Sequence, residues 1–166
     1  MTVAPDISIR PATPGDQSGV LRILREIVDE GTSYFYLPGI TDQELLAYWF
    51  DPKSFTFVGL RGDDILGAYV VRTNFPGRGD HVANASYAVA GRARGTGIGR
   101  ALAEHSLDEA RRHGYTAMQF NRVVSTNESA VRLWQHVGFE IVGTLPRVFD
   151  HPTLGHVDAY VMHRFL

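Results

Sequence analysis

Between Arg94 and Arg100 the chain reads Arg-Gly-Thr-Gly-Ile-Gly-Arg, at a point where one hydrophobic spacing gives way to another. Upstream, Ala85, Tyr87 and Val89 share one face of a period-2 pattern, so 84–89 reads as a strand; downstream, Ile98, Ala101 and Leu102 begin a helical face. The first turn of a helix leaves N–H groups without intrahelical partners, and glycines remove the Cβ atoms that would keep a diphosphate from reaching them. The chemistry this supports is anion binding. One helix end contributes only about 0.3–1 kcal/mol towards a nearby anion, or about 2 when partly buried, so several N–H groups and Arg94 or Arg100 must act together. Such a turn anchors a phosphate-bearing cofactor and carries no reaction by itself.

A dinucleotide turn needs Gly-x-Gly-x-x-Gly, but after Gly95 and Gly97 the third position is Arg100, and no acidic residue ends the next apolar strand. A nucleoside triphosphate loop needs Gly-Lys-Ser/Thr, which the sequence lacks. What remains is Arg-x-x-Gly-x-Gly, with Arg94, Gly97 and Gly99 in the fixed positions. It resembles the pyrophosphate-binding motif of the GNAT family of N-acetyltransferases, which hold acetyl-coenzyme A there. The resemblance implies a cofactor surface made by Tyr87, Val89, Arg94, Gly95, Thr96, Gly97, Ile98, Gly99, Arg100, Asn127 and Trp134. On the motif alone, glycines kept for tight packing remain the alternative.

The second half strengthens the likeness through Asn127-x-x-Ala130-x-x-Leu133-Trp134-x-x-x-Gly138-Phe139. It departs from the family where Trp134 takes the place of a tyrosine that often protonates the departing thiolate. Indole cannot serve as that acid, so another group or water protonates the thiolate, or it leaves unprotonated. A narrower resemblance rests on Tyr48-Trp49-Phe50, on Asn74-Phe75 through Arg78, His81, Asn84 and Ala85, and on Phe120-Asn121, Val123, Thr126-Asn127 and Trp134. These look like the N-acetyltransferases that detoxify proline analogues such as azetidine-2-carboxylate, and they imply Asn84, Asn121 and Asn127 as site residues.

In such a reaction a neutral amine attacks a thioester carbonyl, and an N–H near Val89 or the amide of Asn121 stabilises the growing oxyanion. Asn84 would orient the incoming nitrogen or a substrate carboxylate, and Asn127 would bond the pantetheine arm. The alternatives are amides merely satisfied within the sheet for Asn84 and Asn121, and a helix cap for Asn127. The amine must also lose a proton, and Glu30, at the end of the first helix, is the candidate base; its alternative is a solvated helix-end carboxylate. Tyr34, Phe35, Tyr36, Trp49 and Phe75 suit the core or the wall of a site for a small ring.

The elements that must position these residues follow from the same spacings. Ile7 and Ile9 alternate in an opening strand, and Val20 to Val28 form a helical face that Gly31 ends. Thr41-x-x-Glu44 is a capping box for a short helix, and Pro52 stops it. Strands from Phe55 and Ile65 make a hairpin about Gly62-Asp63-Asp64. A helix runs from the glycine turn to His113, 115–124 is a strand, and Ala130 to Val137 lie on a helix capped by Asn127. Strands 139–145 and 157–165 close the chain across a Pro- and Gly-containing loop. The expected architecture is one domain over 1–166, an α/β (α+β) fold with a mixed, mostly antiparallel sheet flanked by helices and one crossover at the glycine turn. That order matches the GNAT fold over nearly the whole chain, and the resemblance implies splayed central strands at 84 and 115 that admit the cofactor.

Composition removes other classes. With 16 basic against 18 acidic residues and no run of five or more Lys or Arg, nucleic acid is not an expected partner. The absence of cysteine excludes disulfides, thiolate metal sites and an acyl-cysteine intermediate. No stretch approaches eighteen apolar residues and the N-terminus lacks a leader pattern, so no membrane partner and a cytoplasmic location are expected. The seven histidines include no His-Glu-x-x-His, and Asp150, His151, His156 and Asp158 span a hairpin loop, so no metal is expected. The expected partner is a small-molecule amine, and the resemblance makes a homodimer reasonable. The rivals are an acyl-coenzyme A sensor without catalysis, or an acetyltransferase for an amino-acid herbicide, an antibiotic or a protein N-terminus.

Overall fold

Alternating and helical hydrophobic spacings sort residues 6–166, which the computed structural model describes, into seven strands and four α-helices. The order is β1 (Ser8–Pro11), α1 (Gln17–Glu30), α2 (Asp42–Trp49), β2 (Phe55–Arg61), β3 (Asp64–Thr73), β4 (Val82–Val89), α3 (Ile98–Arg112), β5 (Ala117–Val124), α4 (Glu128–His136), β6 (Glu140–His151) and β7 (Gly155–Phe165). Short 3₁₀ turns lie at 14–16, 77–79 and 91–93.

The strands form one sheet in the order β1-β2-β3-β4-β5-β7-β6, antiparallel at every junction except β4 with β5. That parallel pair is joined by the α3 crossover, and only Val82 with Ala117 and Ala83 with Met118 are in register. Beyond those two rungs the strands part, as expected.

Local chemistry accounts for the helices. Val20, Ile23, Leu24, Ile27 and Val28 bury one face of α1, and Gly31 ends it in the left-handed region at φ 66°. The capping box of α2 is present: Thr41 Oγ1 accepts from Glu44 N at 3.2 Å, and a Glu44 carboxylate oxygen accepts from Thr41 N at 2.8 Å. Asp16, buried just before α1, accepts two bonds from Arg10 (2.7 and 3.0 Å) and one from Thr13 N (2.7 Å), which fixes β1 to α1. Helix α3 lies close on β2 and β3 because Gly59 and Gly67 stand under it; a Cβ at Gly67 would come within 2.9 Å of Leu102.

Several boundaries differ from the sequence reading, among them the start of β4, at Val82 rather than at 84. β6 continues to His151 and β7 begins at Gly155, so most of the expected loop is a hairpin. The apolar alternation fails there because the register shifts between Ile141 and Gly143 and between Leu145 and Phe149, and a bulge moves side chains off their alternate faces. Within the second shift Arg147 sits at φ 52°, with its N–H bonded to Asp158 at 2.9 Å. Strand β5 starts at Ala117 rather than at 115, after Gly114 turns the chain at φ 86°.

Candidate active site

Beyond the last rung between β4 and β5 stand two features, a cleft of about 660 Å³ and, after β4 ends at Val89, an open glycine turn. In the turn, Gly95 and Gly97 adopt φ 75° and 89°, and a Cβ at either would meet nothing within 4 Å. They are glycines for backbone conformation, not for packing against the protein. The N–H groups of Arg94 and Thr96 bond to Gly91 O and Ala93 O, both at 3.3 Å, and Ala101 N bonds to Gly97 O. Those of Gly95, Gly97, Ile98, Gly99 and Arg100 find no main-chain partner among the described residues. Five N–H groups around one helix start make a cradle for an anion.

Both flanking arginines hold carboxylates. Arg100 Nε bonds to Glu104 at 2.8 Å, and Arg94 Nη2 lies 2.8 Å from both oxygens of Glu30. Glu30 is exposed, at the end of α1, and does not line the cleft. The structure therefore brings it to the glycine turn and not to the other candidate catalytic residues.

The asparagines do come together. The Asn84 amide donates to Gln119 O at 3.0 Å, the Gln119 amide donates to Asn121 Oδ1 at 3.0 Å, and the Asn121 amide donates to Asn74 Oδ1 at 2.7 Å. Asn84 makes its bond one residue past the last main-chain rung, so a side chain continues the ladder as the strands part. Asn127 stands at the N-cap position of α4 but makes no capping bond; it lines the cleft, and its Oδ1 accepts only from Ser129 Oγ at 3.3 Å. The expected cap is thus absent, which leaves the side chain to the cleft.

Strand β5 bulges between Phe120 and Val123, which re-aims Asn121 and Arg122. Trp134 fills the base of the opening, with ring centroids 4.6 Å from Tyr87 and 4.8 Å from Phe120. Tyr87 bonds Ser106 Oγ at 2.7 Å, and burial holds its hydroxyl well above the ordinary phenol range. The aromatic loop over the cleft is tied down by Tyr34, whose hydroxyl donates to the main-chain carbonyl of Tyr87. Tyr34, Phe35, Tyr36, Tyr48 and Trp49 line the cleft as a wall, whereas Phe75 is exposed outside it.

Two cleft residues were not legible as such in the sequence. Arg72, from β3, pairs in register with Asn84 and places its guanidinium 4.3 Å from the Tyr48 ring centre. Arg122, from the bulge, lies 4.7 Å from the ring of Phe35. The signal for Arg72 is its polarity at the end of the apolar run 65–71; Arg122 gives none without the bulge.

Among the described residues no three His, Asp or Glu side chains stand together as metal ligands. His156 Nε2 is 3.9 Å from Asp150, His151 accepts from Thr153 N and Leu154 N, and Asp158 accepts from Arg147 N. No described helix is long and apolar enough to cross a membrane.

Residues 21–139 match the model of the acetyltransferase (GNAT) family. A GCN5-related N-acetyltransferase from Kribbella flavida is 45% identical with a TM-score of 0.93, over 96% of this chain and 98% of that one. The Salmonella typhimurium protein yncA, solved with its cofactor acetyl-CoA, is 22% identical with a TM-score of 0.86, over 97% and 94% of the two chains, and shares the fold. The N-acetyltransferase aca1 of Schizosaccharomyces pombe is 38% identical over 100 residues, 58% of this chain and 47% of that protein. The chain spans less than half the length of the curated relatives it matches.

Proposed function

Because this chain belongs to the acetyltransferase (GNAT) family, we propose that it moves an acetyl group from acetyl-coenzyme A directly to the amine of a small molecule. The observation that carries this reading is the set of five N–H groups within 95–100, all but that of Thr96, that find no main-chain partner among the described residues, in the turn that follows β4. A diphosphate fits that cradle in charge and in the open space before Gly95 and Gly97. Tyr87, Val89, Asn127 and Trp134 then border the path from the turn to the cleft.

Acetyl-coenzyme A supplies an acetyl thioester, whose carbon accepts the amine lone pair while its carbonyl oxygen gains charge. Asn121 spends one amide hydrogen on Asn74 and keeps a second for that oxygen. Asn84 spends its amide on Gln119 and keeps its carbonyl oxygen for the incoming N–H. The C–S bond breaks as the oxygen's charge returns, the sulfur leaves as a thiolate, and the nitrogen's proton passes to water. Trp134 cannot supply a proton, and Glu30, held by Arg94, is given no part in proton transfer.

The acceptor we favour is a proline analogue or similar amino-acid-like compound, supported by the joined asparagines and the aromatic wall. Detoxification in the cytoplasm by a homodimer is the role this implies; exposed Ile141, Val142, Leu145 and Val148 on the edge strand β6 are consistent with pairing of two copies. The test is calorimetric titration with acetyl-coenzyme A, followed by thiol release with azetidine-2-carboxylate, 4-hydroxyproline and a panel of other amines. Binding with release is expected; no binding by the folded protein overturns the reading. Trp134 in place of an acid favours one rival, a sensor that binds without turnover, which would bind acetyl-coenzyme A and release no thiol with any amine.

A further inference from the structure

Among the residues lining the cleft, Arg72 and Arg122 are the only ionised side chains; no Asp, Glu, Lys or His lines it. Arg72 is partly buried, where a cation is costly unless an anion offsets it, whereas Arg122 is exposed at the cleft, where its donors are open to an incoming anion. Neither guanidinium has a close acidic partner among the described residues. Arg72 reaches Asp51 only at 3.5 Å, and Arg122 makes no hydrogen bond or ion pair with any described residue. Each is instead laid against an aromatic face, Tyr48 for Arg72 and Phe35 for Arg122, which holds the planar group in place and leaves its donors available.

The two arginines come from different strands yet act on the same place. Burial raises the hydroxyl of Tyr36, with Tyr48 adding to the rise, while Arg122 and Arg72 both oppose it. Both guanidiniums lie on aromatic faces of the one cleft that Tyr36 also lines, and Arg72 stands across from Asn84 in the sheet.

We propose that Arg72 and Arg122 bind a carboxylate of the acceptor itself, so that the enzyme selects free amino or imino acids over neutral or cationic amines. The proposal rests on the acetyltransferase reading and names the acceptor class for it. A planar carboxylate matches the guanidinium fork, and the walls suit a short apolar or cyclic body between carboxylate and nitrogen. A protein N-terminus presents a neutral peptide carbonyl at the position of that carboxylate and loses the interaction.

The experiment compares matched acceptors: azetidine-2-carboxylate with its methylamide, and proline with prolinamide and pyrrolidine, by thiol release. For the wild-type protein the acid is expected to exceed its amide at least about tenfold in kcat/KM. Arg122→Gln and Arg72→Gln should each raise KM for the acid about 10- to 100-fold, the range for losing a hydrogen bond to a charged group. KM for acetyl-coenzyme A and kcat/KM for the amide should stay within about threefold in variants whose melting matches the parent; the arginines read only the carboxylate. Arg72→Lys, which keeps charge but loses the fork, should fall between. Amides or simple amines acetylated as well as the acids, or variants that keep the parental KM, would overturn the proposal. A second measurement does not need turnover: Trp49 and Trp134, the two tryptophans of the chain, both line the cleft, so their fluorescence reports acceptor binding to the free and coenzyme A-bound protein. Acids binding no tighter than their amides, or not at all, refute the arginine assignment, whereas calorimetric silence towards acetyl-coenzyme A alone strikes the acetyltransferase reading instead.

Discussion

Asn121 carries two amide hydrogens and commits only one to Asn74, so its remaining hydrogen can meet a developing oxyanion. Asn121→Ala is expected to lower turnover about 10²–10³-fold and to leave acetyl-coenzyme A affinity within about threefold, as measured by single-turnover acetylation and calorimetry. Unchanged turnover would reduce the asparagine to sheet support. Glu30 yields the opposite expectation. Glu30→Gln releases Arg94 towards a diphosphate, so the Kd for acetyl-coenzyme A should fall by about two- to fivefold, the scale of an exposed ion pair, with no loss of kcat. A large kcat loss would restore it as a base. At this scale the sequence was uneven. Asn84, Asn121 and Asn127 were recognisable from their motif company, but the direction of Glu30 depends on a partner sixty-four residues away. Arg72 and Arg122 belong to no motif, and only the register and the bulge place them on the cleft.

The glycine turn and the first β-α junction are the elements whose local geometry makes separable predictions. Valine at Gly97 must occupy φ near 89° with a branched side chain facing the cradle. Gly97→Val should cost about 1–3 kcal/mol of stability from strain and weaken acetyl-coenzyme A binding at least about tenfold, read by melting and calorimetry. Because no protein atom lies within 4 Å of the added Cβ, a variant that fails to fold would count against a binding role. At the junction, Arg10 and then Thr13 hold the Asp16 carboxyl well below the ordinary carboxylate range, against the opposing effect of burial. The folded chain thus takes up that proton at lower pH than the unfolded chain does. The stabilisation is complete above the unfolded pKa and is lost as pH falls through the lower folded one. Asp16→Asn should cost about 1–3 kcal/mol at pH 7, and the deficit should shrink below about pH 4, as followed by urea denaturation across pH. Helix ends were legible because capping is local, as at Thr41 and Glu44. The β6 hairpin was not, because Pro146 and two register shifts erase its alternation while tertiary pairing with β7 sustains it.

For the molecule as a whole, the order of elements along the chain and the crossover through α3 could be argued from spacing, since each hydrophobic face demands a neighbour; the place of β7 between β5 and β6, which makes α4 a second crossover, was missed. The width of the opening could not, because it depends on how few rungs join β4 to β5. Those two rungs leave a sheet made of a four-strand leaf, β1 to β4, and a three-strand leaf, β5 to β7, stitched at one end. A thioester arm lodged between the leaves would act as a removable shim, bridging amide and carbonyl edges that no strand covers. Deuterium uptake at those N–H groups of 86–89 and 120–123 that face the opening should therefore be fast in the ligand-free protein and slow on addition of coenzyme A, while 67–71 in β3, paired on both sides, stays unchanged.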